Sequence, residues 1–97
     1  MITNIEGEVW KSIDGYSNYK VSNFGRIKRL VGHYCKEERL LNPYINKLGY
    51  PVVSLSFNGC QYPYYVHRLV YKAFNEDKIY VRHINGNRKD SRLENLS

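Results

Sequence analysis

The sequence predicts an α+β fold on antiparallel strands, and three observations carry that prediction. Short apolar and polar alternations broken by Gly and Asn fill the first third of the chain, two strand-like runs flank Asn58-Gly59, and from Val66 the apolar spacing lengthens to helical. With 97 residues, one compact domain or two very small ones sharing a core can form.

Residues 8–30 carry Gly15, Asn18, Asn23 and Gly25 between short apolar pieces, which is strand and turn chemistry. In Tyr19-Lys20-Val21-Ser22 and Arg26-Ile27-Lys28 the pattern alternates. If Tyr19, Val21 and Ile27 point inward, then Lys20, Ser22, Arg26 and Lys28 share the opposite face, because strand side chains alternate with period two. That gives a hairpin with one cationic surface. Residues 32–47, with Pro43 among them, read as a loop followed by a short strand over 40–44. Asn58-Gly59 tolerates the positive φ angles of a type I′ turn, so counting outward pairs Phe57 with Cys60, Leu55 with Tyr62 and Val53 with Tyr64 on one apolar face.

Val66, Leu69, Val70, Ala73 and Phe74 form the stripe of an amphipathic helix, with His67, Arg68 and Lys72 on its other sides. Asn75, Glu76 and Asp77 end it. Ile79-Tyr80-Val81 then reads as a short strand that delivers Arg82 and His83 into the polar loop 85–94. There is no internal repeat.

Lys and Arg number 15 against 9 Asp and Glu, a net charge of +6 and a pI near 9.4, which favours an anionic partner. Nucleic acid is the first expectation and an acidic membrane the second. The cations fall in two clusters: Lys20, Arg26, Lys28 and Arg29 on the first hairpin, and Arg88, Lys89 and Arg92 in the last loop. A two-stranded ribbon fits the major groove, where Lys and Arg reach phosphates and guanine edges. The plainer alternative for the hairpin cluster is a solvated face. No apolar run approaches the roughly 20 residues of a membrane helix, so no membrane association and a cytoplasmic location are expected. Cys35 and Cys60 lack Cys-x-x-Cys spacing and read as reduced residues; His33 and Cys35 alone do not make a metal site.

Two blocks resemble a known family. Val9-Trp10-Lys11-Ser12-Ile13-Asp14-Gly15-Tyr16 with Tyr19-Lys20-Val21-Ser22-Asn23-Phe24-Gly25-Arg26-Ile27 is similar to the NUMOD4 motif. Val66-His67-Arg68-Leu69-Val70, then Val81-Arg82-His83-Ile84-Asn85-Gly86-Asn87, then Leu93-Glu94-Asn95-Leu96 resembles the HNH motif of phage-type homing endonucleases. The resemblance implies a NUMOD4-like, β-rich DNA-contacting module over 1–47. Beside it, 48–97 would form an HNH-like module, a truncated ββα-metal (His-Me finger) half-site lacking the family's C-terminal strand and helix. It implies double-stranded DNA as partner, His83 as the general base that activates water, and Asn95 as the residue that positions or polarises it. A base near neutral pKa and a cation at the leaving oxygen suit a resistant phosphodiester. Arg68 joins the two cationic clusters as a DNA contact.

The motif departs from the family at Arg82, where a metal ligand such as Asp or Asn is usual. A guanidinium has no acceptor lone pair and repels a divalent cation. Asn85 and Asp90, with Asn87 nearby, are the remaining candidate ligands for Mg or Mn. The expectation is therefore duplex DNA binding with impaired cleavage. The alternatives are an active metal-dependent nuclease or nickase, and an inactive relative that regulates another nucleic-acid machine. Self-association or a protein partner would cover the incomplete C-terminal layer.

Overall fold

The computed structural model describes residues 5–31, 36–75 and 81–97. Strands β1 (Trp10–Ile13), β2 (Tyr16–Ser22), β3 (Ile27–Arg29) and β4 (Arg39–Leu40) form an antiparallel sheet in that order. A second antiparallel sheet contains β5 (Tyr44–Ile45), β6 (Pro51–Phe57) and β7 (Cys60–Tyr65). Helix α1 (Val66–Phe74) leaves β7 without an intervening loop, and a 3-10 turn, Leu93–Asn95, closes the chain.

The period-two reading of the first hairpin holds where it concerns the core. Tyr19, Val21 and Ile27 are buried and meet Val53 and Leu55 of the second sheet, Val66, Leu69 and Val70 of α1, and Leu96. Ser22 is a correction: it was expected on the cationic face and is fully buried. Its hydroxyl accepts the N–H groups of Phe24 and Arg26, both at 3.2 Å, and bonds the Glu8 carboxylate, so it is buried beside the Glu8–Arg26 pair.

The expected strand over 40–44 is instead two strands in different sheets. β4 ends at Leu40 and β5 starts at Tyr44, after Pro43, which has no N–H to continue a ladder. Around Asn58 (φ 51°) and Gly59 (φ 79°) the predicted register is observed, with Phe57, Leu55 and Val53 opposite Cys60, Tyr62 and Tyr64. The face they share is apolar throughout but covered only in part. Val53 and Leu55 are buried under α1, while Phe57, Cys60 and Tyr62 lie beyond it and are exposed. The strand expected over 79–81 lies outside the described residues except for half-buried Val81, which is in no strand; His33 and Cys35 also lie outside them. No described helix is long and apolar enough to cross a membrane.

The last loop locks onto the first sheet. Leu93 donates its N–H to the Asn23 carbonyl at 2.7 Å. Gly25, at φ 84°, lies so close to Ser91 that a Cβ there would stand 3.1 Å from the Ser91 carbonyl oxygen. One core thus fastens the final loop to the β2–β3 bend and to α1.

Candidate functional site

His83 is held by a single antiparallel β-bridge, the shortest form of a ladder. It forms a bridge with Leu96, flanked by Arg82 N–H to Ser97 O at 2.8 Å, the reverse bond at 3.0 Å, and Ile84 N–H to Asn95 O at 2.7 Å. Neighbours on such a ladder point to opposite sides: His83 is buried and Arg82 is exposed.

Asn side chains then shape the loop that follows. Asn95, buried at 6% exposure, accepts the Asn85 N–H at 3.1 Å and donates to the Asn85 Oδ1 and the Asp90 carbonyl, both at 3.0 Å. Asn85 Oδ1 also accepts the Asn87 N–H at 2.8 Å, and Asn87 Oδ1 the Lys89 N–H at 3.1 Å. These are local turns in which Asn amides replace backbone partners. Asn95 is therefore the pin of the loop, and its amide is engaged by Asn85 and Asp90 and not by His83. Asn95 meets the His83 segment through the backbone, where its carbonyl accepts the Ile84 N–H at 2.7 Å.

What does surround the His83 ring is aromatic. His67, from the first turn of α1, packs edge-on against it with ring centroids 4.7 Å apart. Tyr50 lies 5.2 Å from His67 and 5.8 Å from His83, and Tyr65 lies 5.3 Å from His67. His67, placed outside the apolar stripe with Arg68 and Lys72, is nevertheless buried, at 6% exposure. The helix follows β7 directly, so His67 in its first turn packs against Tyr50 and Tyr65 while Arg68 beside it stays exposed. Nothing in the motif marked Tyr50. Its only signal was its place beside Gly49, where the bend into β6 turns the side chain towards the loop.

Burial, the dominant effect, lowers the pKa of both imidazoles. His67 is pushed down to about 4, with the charges of His83 and Arg68 adding to burial. His83 is lowered by burial and by Arg88, with Asp90 opposing. Both rings are neutral at physiological pH.

A divalent cation does not fit the proposed ligands. Asp90 Oδ1 accepts Arg92 Nε at 2.8 Å, and Oδ2 accepts Arg92 Nη2 at 2.8 Å and Asn85 Nδ2 at 3.2 Å. Arg92 and Asn85 hold the Asp90 carboxyl down at about 2. The Asn85 carbonyl is already shared between Asn87 and Asn95. Among the described residues no three His, Cys, Asp or Glu side chains converge on one point.

The two cationic clusters are also reduced by internal partners. Arg26 forms a two-point ion pair with Glu8, through Nε at 2.8 Å and Nη2, and its guanidinium lies 5.4 Å from the Trp10 ring. Lys28 stacks on Trp10 at 4.5 Å and approaches Glu38 at 3.4 Å. Arg29 rests over Tyr19 and Lys20 stays half-buried on β2. In the last loop Arg92 is paired with Asp90 and Glu94. Arg88 is different: it donates to the Leu48 carbonyl at 2.6 Å and lies over Tyr50 at 5.1 Å, so its charge is oriented but not neutralised. Exposed Lys89 adjoins it, and Arg68 is exposed on α1.

Residues 8–56 match the NUMOD4 motif and residues 64–97 match the HNH endonuclease family. Two uncharacterised HNH endonucleases of Acanthamoeba polyphaga mimivirus are 35% and 37% identical, over 94% and 90% of this chain but only 23% and 26% of their own length. Among solved structures, one of DNA binding and cleavage by the HNH homing endonuclease I-HmuI superposes with a TM-score of 0.79 at 33% identity. That likeness covers 91% of this chain and 50% of the other. The chain thus spans about a quarter of its mimivirus relatives and half of the solved one.

Proposed function

The chain belongs to the NUMOD4-bearing HNH endonuclease family, and on that premise we propose that it binds duplex DNA and presents His83 to a phosphodiester, with cleavage weakened at Arg82. The region within 1–47 supplies backbone and groove contacts, and 48–97 carries the reacting site. The observation that carries the reading is His83 itself, a buried and neutral imidazole fixed by the ladder to Leu96 and by a loop that Asn95 pins. A neutral imidazole accepts a proton from water, and oriented Arg88 beside it suits a phosphate.

In this family a divalent cation neutralises the leaving oxygen. Asn85 and Asp90 do not fit that task, since their oxygens already serve the loop. Arg82 keeps a fixed positive charge where the family has a ligand, and a guanidinium has no lone pair to offer a cation. The residues described here therefore perform the proton transfer and the DNA positioning, and hold a cation poorly.

Plasmid nicking with Mg or Mn tests this, with His83→Ala as the contamination control. Weak nicking that His83→Ala abolishes is expected, as is tighter divalent-ion binding by Arg82→Asp. Robust nicking by the unmodified chain would overturn the role given to Arg82, and nicking unaffected by His83→Ala would overturn the base. Failure to shift duplex DNA even at low salt would remove the function altogether.

A further inference from the structure

The two nitrogens of His83 are in different surroundings. Nε2 is buried and has no hydrogen-bond partner, and on the neighbouring ring the same is true of His67 Nδ1. Buried polar atoms without partners are uncommon in folded proteins and call for an explanation. Here two of them occur on rings that touch, and both side chains are at least nine-tenths buried, His67 at 6% and His83 at 9% exposure.

The distance is right for the two to satisfy each other. An imidazole nitrogen lies about 1.2 Å from its ring centre, so an in-line N–H···N bond of about 2.9 Å places two centroids about 5.3 Å apart, and a bent one brings them closer. The observed separation is 4.7 Å, at an interplanar angle of 64°. The χ2 torsion of histidine is soft, so the rings are free to turn towards a shared N–H···N bond. Tyr50 and Tyr65 wall the pair, and Asn95, the other group that could orient His83, is committed to Asn85 and Asp90.

We infer that His67 is a positioning residue for His83: its Nδ1 accepts the Nε2–H of His83, which fixes the tautomer and leaves the Nδ1 lone pair of His83 to take a proton from water. The hydrogen bond at one imidazole nitrogen decides which nitrogen carries the proton. The inference rests on the reading of His83 as the base. As water attacks phosphorus, its oxygen forms the new P–O bond and its proton moves to His83 Nδ1. The bond to the leaving sugar oxygen breaks, and solvent protonates that oxygen. The imidazolium so formed keeps its Nε2–H directed at His67, which remains neutral throughout, in keeping with its burial.

Imidazole nitrogen–proton correlation spectra of the full chain at neutral pH read the tautomer without reference to cleavage. Both rings are expected to be neutral and to carry the proton on Nε2. His67→Phe keeps a ring in the cluster but removes the acceptor, and His83 should then populate both tautomers. His67→Asn places an acceptor oxygen near the original Nδ1 and should restore the single form. A proton on His83 Nδ1 in the unmodified chain overturns the inference, even if His67→Phe fails to fold. So does an unchanged His83 spectrum in folded His67→Phe. Nicking measured in parallel should fall by about tenfold or more in His67→Phe, the order seen when a group that orients an imidazole is lost, with recovery in His67→Asn. Loss of the single tautomer in a chain that never nicks would count against the nuclease reading alone.

Discussion

The first sheet and the last loop are held by different forces. In the sheet, Tyr19, Val21 and Ile27 bury apolar surface, and the charged residues Arg26 and Lys28 are engaged by Glu8, Glu38 and Trp10 on its other face. In the loop from His83 to Leu96, Leu93 and Leu96 join the core at its end; the shape comes from the amides of Asn85, Asn87 and Asn95 and from the Asp90–Arg92 pair. Apolar burial is spread over many residues and tolerates single surface changes. A hydrogen-bonded loop concentrates its stability in a few atoms, because each buried group left unpaired costs about 1–3 kcal/mol. The reacting residue sits on the second kind of scaffold.

That contrast is most easily broken at Asn95. Asn95→Ala removes one acceptor and two donor contacts at once and should cost about 3 kcal/mol, with His83 losing its fixed position. Urea unfolding measures the loss. Lys20→Ala on β2 should change stability by about 0.5 kcal/mol or less. Equal effects at the two positions would show that the loop is carried by the core after all.

Acid should separate the two regions by pH window. His67 binds a proton at 6.5 when unfolded and only near 4 when folded, so below 6.5 the unfolded state takes up more protons and stability falls with pH. The contribution is fully present above 6.5 and is lost as pH falls towards 4, amounting to at most about 3 kcal/mol. His83 acts in the same direction. Glu8 is held below its ordinary 4.5 mainly by the hydrogen bond from Arg26, so the ion pair of the sheet contributes stability that is present above 4.5 and lost as pH falls through that lowered value. Unfolding midpoints at about pH 7 and about pH 4.5 should therefore differ for the unmodified chain, and less for His67→Leu. An identical difference in both proteins would place the acid response elsewhere.

The sheet, the β6–β7 hairpin and the helix were legible in the sequence because their signals are periodic: alternation around Val21, Asn58-Gly59 between two runs, and the Val66, Leu69, Val70 stripe. The motif around His83 and Asn95 was legible as well. The partners of those residues were not, because they depend on tertiary placement. Tyr50 and His67 reach His83 only through the bend at Gly49 and the direct passage from β7 into α1. Glu8 reaches Arg26 across 18 positions of chain, so a count of cations overstated the free charge on the hairpin. Asp90, a candidate ligand by type, is occupied by Arg92 two residues on.

The joint between the regions offers a smaller test. Gly25 combines a φ of 84° with a backbone contact to Ser91. Gly25→Ala adds strain at a left-handed position and a Cβ pressed on a carbonyl, so a loss of about 2 kcal/mol is expected in thermal unfolding. Gly15→Ala has nearly the same φ, 83°, but open space around it, and should cost only the conformational part, about 1 kcal/mol. If the two cost the same, the loop does not press on the β2–β3 bend.

The last and smallest effect concerns how each region would use its charge on DNA. Each phosphate contact contributes about 0.9 to the slope of log affinity against log salt. Arg88 and Lys89 meet no carboxylate among the described residues, and Arg88 is oriented by Leu48 and Tyr50. Arg88→Ala with Lys89→Ala should therefore lower the slope by up to about 1.8 if both touch phosphate. Arg26→Ala with Lys28→Ala removes charges that Glu8 and Glu38 already offset. Its slope should change by less than that of one full contact, with a stability loss from the stranded Glu8 instead, since a buried partner is left without its cation. Fluorescence anisotropy on one duplex across a salt series decides between them. A larger slope change in the hairpin pair than in the loop pair would mean that DNA displaces Glu8 and Glu38, and that the sheet, for all its internal pairing, is the main DNA-contacting face.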